Sequence, residues 1–144
     1  MKLKRGDIKM KIEEQVLSIE QMKHLQELGV DTSDASMAWY MSPKTNQWKI
    51  KIKDKFAHEM LRRISPERYI PTYTIGDLIE KLPKHFYIKE AQISMVAING
   101  SGAFQVWYDK VPKSCKSDGT IKNALYKLLC WVAGNHKKLL EVKK

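Results

Sequence analysis

Cysteine is scarce. Cys115 and Cys130 are the only two in 144 residues and form no C-x-x-C pair, which excludes a disulfide-scaffolded secreted domain and a thiolate zinc site. Histidine is equally sparse. His24, His58, His85 and His136 stand apart, and Arg62 fills the position where a zincin helix beginning at His58-Glu59 needs its second histidine. Long apolar runs are missing too. The charged start Met1–Lys11 is not followed by the roughly 7–15 apolar residues of a secretory signal. The longest apolar cluster, Ala124–Ala133, is interrupted by Tyr126 and Lys127, far short of the roughly 18 residues of a membrane helix. A cytoplasmic protein without membrane association is expected. There is no G-x-S-x-G elbow and no glycine-rich phosphate loop between a strand and a helix. No cofactor, no metal and no enzymatic mechanism are therefore expected.

What is abundant is positive charge. The 26 basic and 16 acidic residues leave a net charge of +10, and its distribution along the chain is uneven. Residues 1–11 carry +4, residues 12–43 carry −5, residues 44–68 carry +5, residues 69–108 balance, and residues 109–144 carry +6. The excess thus lies at both ends and in one central block. A hydrophobic fraction of 43% suffices for one core, and a chain of this length is expected to bury about 70% of its unfolded surface. No repeat and no Gly/Ser- or Pro-rich linker divides it. One α+β domain over residues 1–144 is expected, with a basic arm at 1–14 and a basic tail at 136–144 as flexible extensions.

Periodicity predicts the elements. Ser18 with Gln21 forms a capping box for a helix over Ile19–Leu28, and Gly29 supplies its left-handed stop. Met37–Met41 is aromatic-rich and extended, and Pro43–Gln47 has turn composition. Trp48–Lys53 alternates strictly, completing a β-hairpin in which Trp48, Ile50 and Ile52 face one way and Lys49, Lys51 and Lys53 the other. Phe56–Arg63 reads as a short helix or an irregular excursion. Thr74 with Asp77 caps a second helix carrying Ile75, Leu78, Ile79 and Leu82 on one face. Pro83 ends it. Tyr73 before the cap and Leu78 after it have the spacing of a hydrophobic staple. Phe86–Ile98 reads as extended with a break near Glu90-Ala91, Asn99–Gly102 as a hairpin loop and Ala103–Tyr108 as its returning strand. A basic loop over Asp109–Gly119 leads to a last helix, Ile121–Ala133, closed by Gly134-Asn135. Its Ile121, Leu125, Leu128 and Val132 fall within about 60° of one another, with Cys130 about 180° from Ile121. The fold class is α+β: an antiparallel sheet of four to five strands with about three helices packed on one face.

The functional candidate is electrostatic. Lys49, Lys51, Lys53, Arg62 and Arg63 form a basic group able to contact phosphates without reading sequence. Trp39, Tyr40, Trp107 and Tyr108 are available as stacking surfaces if they face outward. Alternating lysines also serve as the solvated face of an edge strand, where they block aggregation. A second candidate is a protein–protein adaptor or inhibitor that meets an acidic or apolar partner through an aromatic-apolar patch around Tyr69, Pro71 and Tyr73.

Three segments carry a resemblance: Val16–Val30, Ile70–Thr74 with Leu78 and Leu82-Pro83, and Ala124–Trp131. Together they resemble a group of small bacterial proteins associated with prophages or mobile elements, over most of residues 16–134. The group has no established activity. What the resemblance implies is a small non-enzymatic accessory role, and it brings no catalytic residue with it.

Overall fold

Each helix forms where a side chain can satisfy its free N-terminal N–H groups. The computed structural model describes residues 14–52, 63, 66–86, 89–90, 92–98, 103–109, 111 and 114–140. Helix α1 spans Ile19–Glu27, and its capping box is reciprocal. Ser18 Oγ accepts from the Gln21 N–H at 3.1 Å while Gln21 Oε1 accepts from the Ser18 N–H at 2.9 Å. The helix ends in a Schellman arrangement. Gly29 N–H donates to the Gln26 carbonyl and Val30 N–H to the Leu25 carbonyl, both at 3.0 Å, with Gly29 at φ +87° and Leu25 and Val30 buried. Helix α2, Ile75–Lys81, starts at Thr74 with the same box closed by Asp77, and Leu82 before Pro83 is already extended. Helix α3 runs Ile121–Asn135 from an N-cap at Thr120, two residues beyond its predicted end. Gly134 lies within the helix and His136 caps it.

The strands are β1 (Met37–Met41), β2 (Trp48–Ile52), β3 (Tyr69–Thr72), β4 (His85–Phe86), β5 (Lys89–Glu90), β6 (Ile93–Ile98), β7 (Ala103–Tyr108) and β8 (Lys116–Asp118). The predicted single sheet of four to five strands is not what they form. Among the described residues they divide into two three-stranded antiparallel sheets, β2-β1-β3 and β6-β7-β8, and a two-stranded β4-β5 pair. The α+β class with three α-helices stands. Two strands lie where the sequence reads as connection. Tyr69–Thr72, expected as the approach to α2, is an edge strand that tolerates Pro71 because an edge does not need every N–H. Lys116–Asp118, inside the expected basic loop, pairs with Val106–Phe104.

The core gathers around α3. Leu125, Leu128, Leu129 and Val132 are fully buried against Leu17, Met22 and Leu25 from the first segment, Leu78 and Leu82 from α2, and Val106 and Tyr108 from β7. Each such leucine contributes about 1.5–3 kcal/mol on burial. The first segment is held to the rest by polar contacts: Leu17 N–H donates to the Tyr73 carbonyl, Lys122 Nζ to the Val16 carbonyl, and Gln21 Nε2 to Asn123 Oδ1, each at 3.0 Å. Lys137–Leu140 forms a 3-10 turn and Leu140 packs against the core. The arm at 1–13 and the end of the tail at 141–144 lie outside the described residues, as does most of Phe56–Arg63. Among the described residues no helix is long and apolar enough to cross a membrane.

Candidate nucleic-acid interface

The hairpin of β1 and β2 is assembled by local chemistry. Asn46 takes φ +55°, a left-handed conformation that asparagine tolerates, and this lets its N–H reach the Ser42 carbonyl at 2.7 Å and the Ser42 N–H reach the Gln47 carbonyl at 3.1 Å. The turn sets the register Met41↔Trp48, Tyr40↔Lys49, Trp39↔Ile50, Ala38↔Lys51 and Met37↔Ile52. Opposed residues share a face. One face therefore carries Trp39, Trp48 and Ile50, and the other Tyr40, Lys49 and Lys51.

Trp39 decides which face turns inward. Its indole Nε1 donates to the Leu17 carbonyl at 2.8 Å, the same oxygen that accepts from Thr72 Oγ1 at 2.7 Å. Trp39 and Trp48 pack against the core, and Ile70 and Thr72 on β3 are buried on this side. The opposite face leaves Lys49 and Lys51 exposed with Tyr40 half-buried beside them. Lys51 Nζ lies 4.5 Å from the centroid of the Tyr40 ring. Beyond the turn, the Arg68 guanidinium lies 3.5 Å from Asn46 Oδ1, which brings a third positive group to the hairpin from outside β2.

The basic group predicted from sequence is thus only partly placed. Lys49 and Lys51 share one exposed face. Arg63 is exposed in the stretch preceding β3, and Lys53 and Arg62 lie outside the described residues. Arg68, in the same basic block, is brought to the turn by the pairing of β3 with β1, a tertiary contact with no local signature. The expected alternation fails at one point. Ile52 is 80% exposed although it shares parity with Trp48 and Ile50, because it lies at the end of an edge strand with no described residue covering it. Of the four aromatics proposed for stacking, Tyr108 is core, Trp39 is committed to Leu17, and Tyr40 and Trp107 retain partial exposure.

In the alternative aromatic patch the two tyrosines turn inward while Pro71 stays half-buried. Tyr73 is fully buried, with its hydroxyl 2.7 Å from Asp34 Oδ1 and 3.0 Å from the Asp31 carbonyl, and Tyr69 is nearly so. Tyr73 and Leu78 are both in the core, as the staple spacing predicts. Burial pushes the Tyr73 phenol well above the usual tyrosine range, and the Asp34 carboxylate pushes it further. Lys81 closes this cluster, its Nζ 2.9 Å from both Asp34 Oδ2 and the Asp31 carbonyl. A cleft of about 470 Å³ lies between α1 and β3, with Lys23, Gln26, Asp31, Thr32, Glu67 and Tyr69 in its lining. Its polar groups engage one another, Gln26 Nε2 donating to Thr32 Oγ1 at 3.2 Å and Ser33 N–H to Asp31 Oδ1 at 3.0 Å.

Nothing described here activates a nucleophile. Cys130 is half-buried against Tyr126, and burial pushes its thiol up, away from the thiolate. Ser101 lies outside the described residues. Among the described residues no three His, Cys, Asp or Glu side chains converge on a metal position. The chain matches no protein-family model, no curated protein and no solved structure.

Proposed function

We propose that this is a small non-enzymatic accessory protein that binds nucleic acid non-specifically through the outward face of its β1–β2 hairpin. The observation that carries the proposal is the pair Lys49 and Lys51, exposed side by side on one face, with Arg68 held at the adjacent turn. Ammonium and guanidinium groups in this arrangement release counterions when they meet phosphates, which favours binding without base recognition. Lys53, Arg62 and Arg63 extend the same basic run in the sequence. The resemblance to small prophage-associated proteins supports a mobile-element origin.

The test is fluorescence-anisotropy titration with random-sequence DNA and RNA at about 50 and 200 mM salt. Affinity should fall steeply with salt. The Lys49→Glu/Lys51→Glu double variant should weaken binding and lower the salt slope by about 1.8 on duplex, since each lost phosphate contact removes about 0.9. Absence of binding at the lower salt removes the proposal. A protein-binding role is the second reading, favoured by exposed Ile52 and by Met95 at 45% exposure. Binding of an apolar protein partner would persist as salt rises.

A further inference from the structure

Tyr40 occupies a position that its neighbours do not explain. It sits in the middle of β1, opposed by Lys49 on one side and Tyr69 on the other. Tyr69 is buried whereas Tyr40 is only half-buried. What lies over the Tyr40 ring is the ammonium of Lys51, 4.5 Å from the centroid, on an exposed side chain. Among the described residues, what covers that ring face is a movable cation.

From this arrangement, and resting on the reading of the hairpin as a nucleic-acid surface, we infer that the ligand is single-stranded, with Tyr40 as the platform for one unpaired base. Three physical points support the assignment. Lys49 and Lys51 are about 6.6 Å apart along β2, with Tyr40 on the neighbouring strand about 4.8 Å away. A strand running along β2 can set its phosphates against the lysines and turn a base over the ring.

Exchange of the cover is favourable. An exposed cation–π contact changes an equilibrium about two- to five-fold, whereas a base stacked on an aromatic ring contributes about five- to a hundred-fold. The Lys51 ammonium released from the ring gains a phosphate. A duplex keeps its base faces inside its own stack and has no use for the ring.

Three lysines of the described α-helices are already engaged. Lys81 is held by Asp34, Lys122 by the Val16 carbonyl, and Lys127 by Asp118 and the Ser117 carbonyl. Lys23 on α1 lies among Glu20 and Glu27.

The experiment is an anisotropy titration of the full chain at low salt with a mixed-sequence oligonucleotide of about 12 nucleotides, its duplex, and an abasic strand of the same length. The single strand should bind more tightly than both the duplex and the abasic strand, by about five-fold or more. Tyr40→Ala should remove that margin while leaving abasic binding and its salt slope unchanged, and Tyr40→Phe should retain it. Equal binding of base-bearing and abasic strands by the wild-type chain overturns the inference even if Tyr40→Ala fails to fold. Tight duplex binding indifferent to Tyr40 overturns it while leaving the phosphate-binding function standing. Binding of none of the three probes removes both.

Discussion

Tyr73 and Asp34, 39 positions apart in the chain, meet with the phenol oxygen 2.7 Å from the carboxylate. The contact ties the loop after α1 to the start of α2, and Lys81 joins it from the last turn of that helix. Asp77 makes a parallel tie, accepting from the Ser36 N–H at 3.0 Å and the Ser36 hydroxyl at 2.6 Å while capping α2. Both contacts fix the point where β1 begins, and so the placement of the hairpin.

Tyr73→Phe keeps the ring in the core and removes only the hydroxyl. It should cost about 1.5–3 kcal/mol, the value of a hydrogen bond to a charged acceptor, whereas Tyr73→Ala should cost about 3–5 kcal/mol through its cavity. Urea denaturation of the two variants measures both, and an unchanged stability of Tyr73→Phe would show that the hydroxyl contributes nothing.

Alkaline pH should destabilise the fold. Burial pushes the phenols of Tyr73, Tyr108 and Tyr126 above the usual range, with Asp34 adding to the first and Cys130 to the last. The folded state holds these protons more tightly than the unfolded state, whose phenols titrate near about 10. The associated stability is complete below about pH 10 and is lost as pH rises above it. Denaturation series from neutral pH upward should show the decline, and a triple Phe variant should flatten it.

The two thiols should separate kinetically. Cys115 is exposed, while Cys130 is half-buried with its thiol pushed up. At neutral pH a disulfide reagent should modify Cys115 faster by on the order of tenfold or more, with Cys130 reacting at a comparable rate only in denaturant. Mass mapping of the first-labelled site settles the order.

Gly29→Ala should destabilise chiefly through the backbone. The residue is left-handed at φ +87°, and an added Cβ would run into the Lys137 ammonium. The backbone term is about 1–2 kcal/mol. The exposed Lys137 side chain can swing aside, so adding Lys137→Ala should leave the loss in a thermal melt nearly unchanged.

Leu128→Ala in α3 should cost about 2–5 kcal/mol as a core cavity. Ile52→Ser, at 80% exposure, should change stability by less than about 0.5 kcal/mol. A large loss at Ile52 would mean that the side chain is covered in solution.

Much of this was legible because its causes are local. Ser18-Gln21 and Thr74-Asp77 cap their helices through bonds spanning three residues, and the α3 stripe follows from helical periodicity alone. The hairpin was equally legible, since alternation and a six-residue turn set its register. Tyr69–Thr72 and Lys116–Asp118 were not. One contains a proline, the other is three polar residues, and each is a strand only because a distant strand supplies its partner.

The candidate site divides along the same line. Sequence by itself determined that the lysines of β2 share a face, because side chains alternate along any strand. It determined as well that α2 and α3 are amphipathic and that the central block is basic. Tertiary structure alone decided that the strands fall into separate sheets, that Trp39 turns the apolar face toward Leu17, that Arg68 arrives at the hairpin turn, and that Ile52 is left uncovered. These depend on contacts between residues far apart in the chain, where loop closure and competition for one core select among pairings that local preference leaves equivalent.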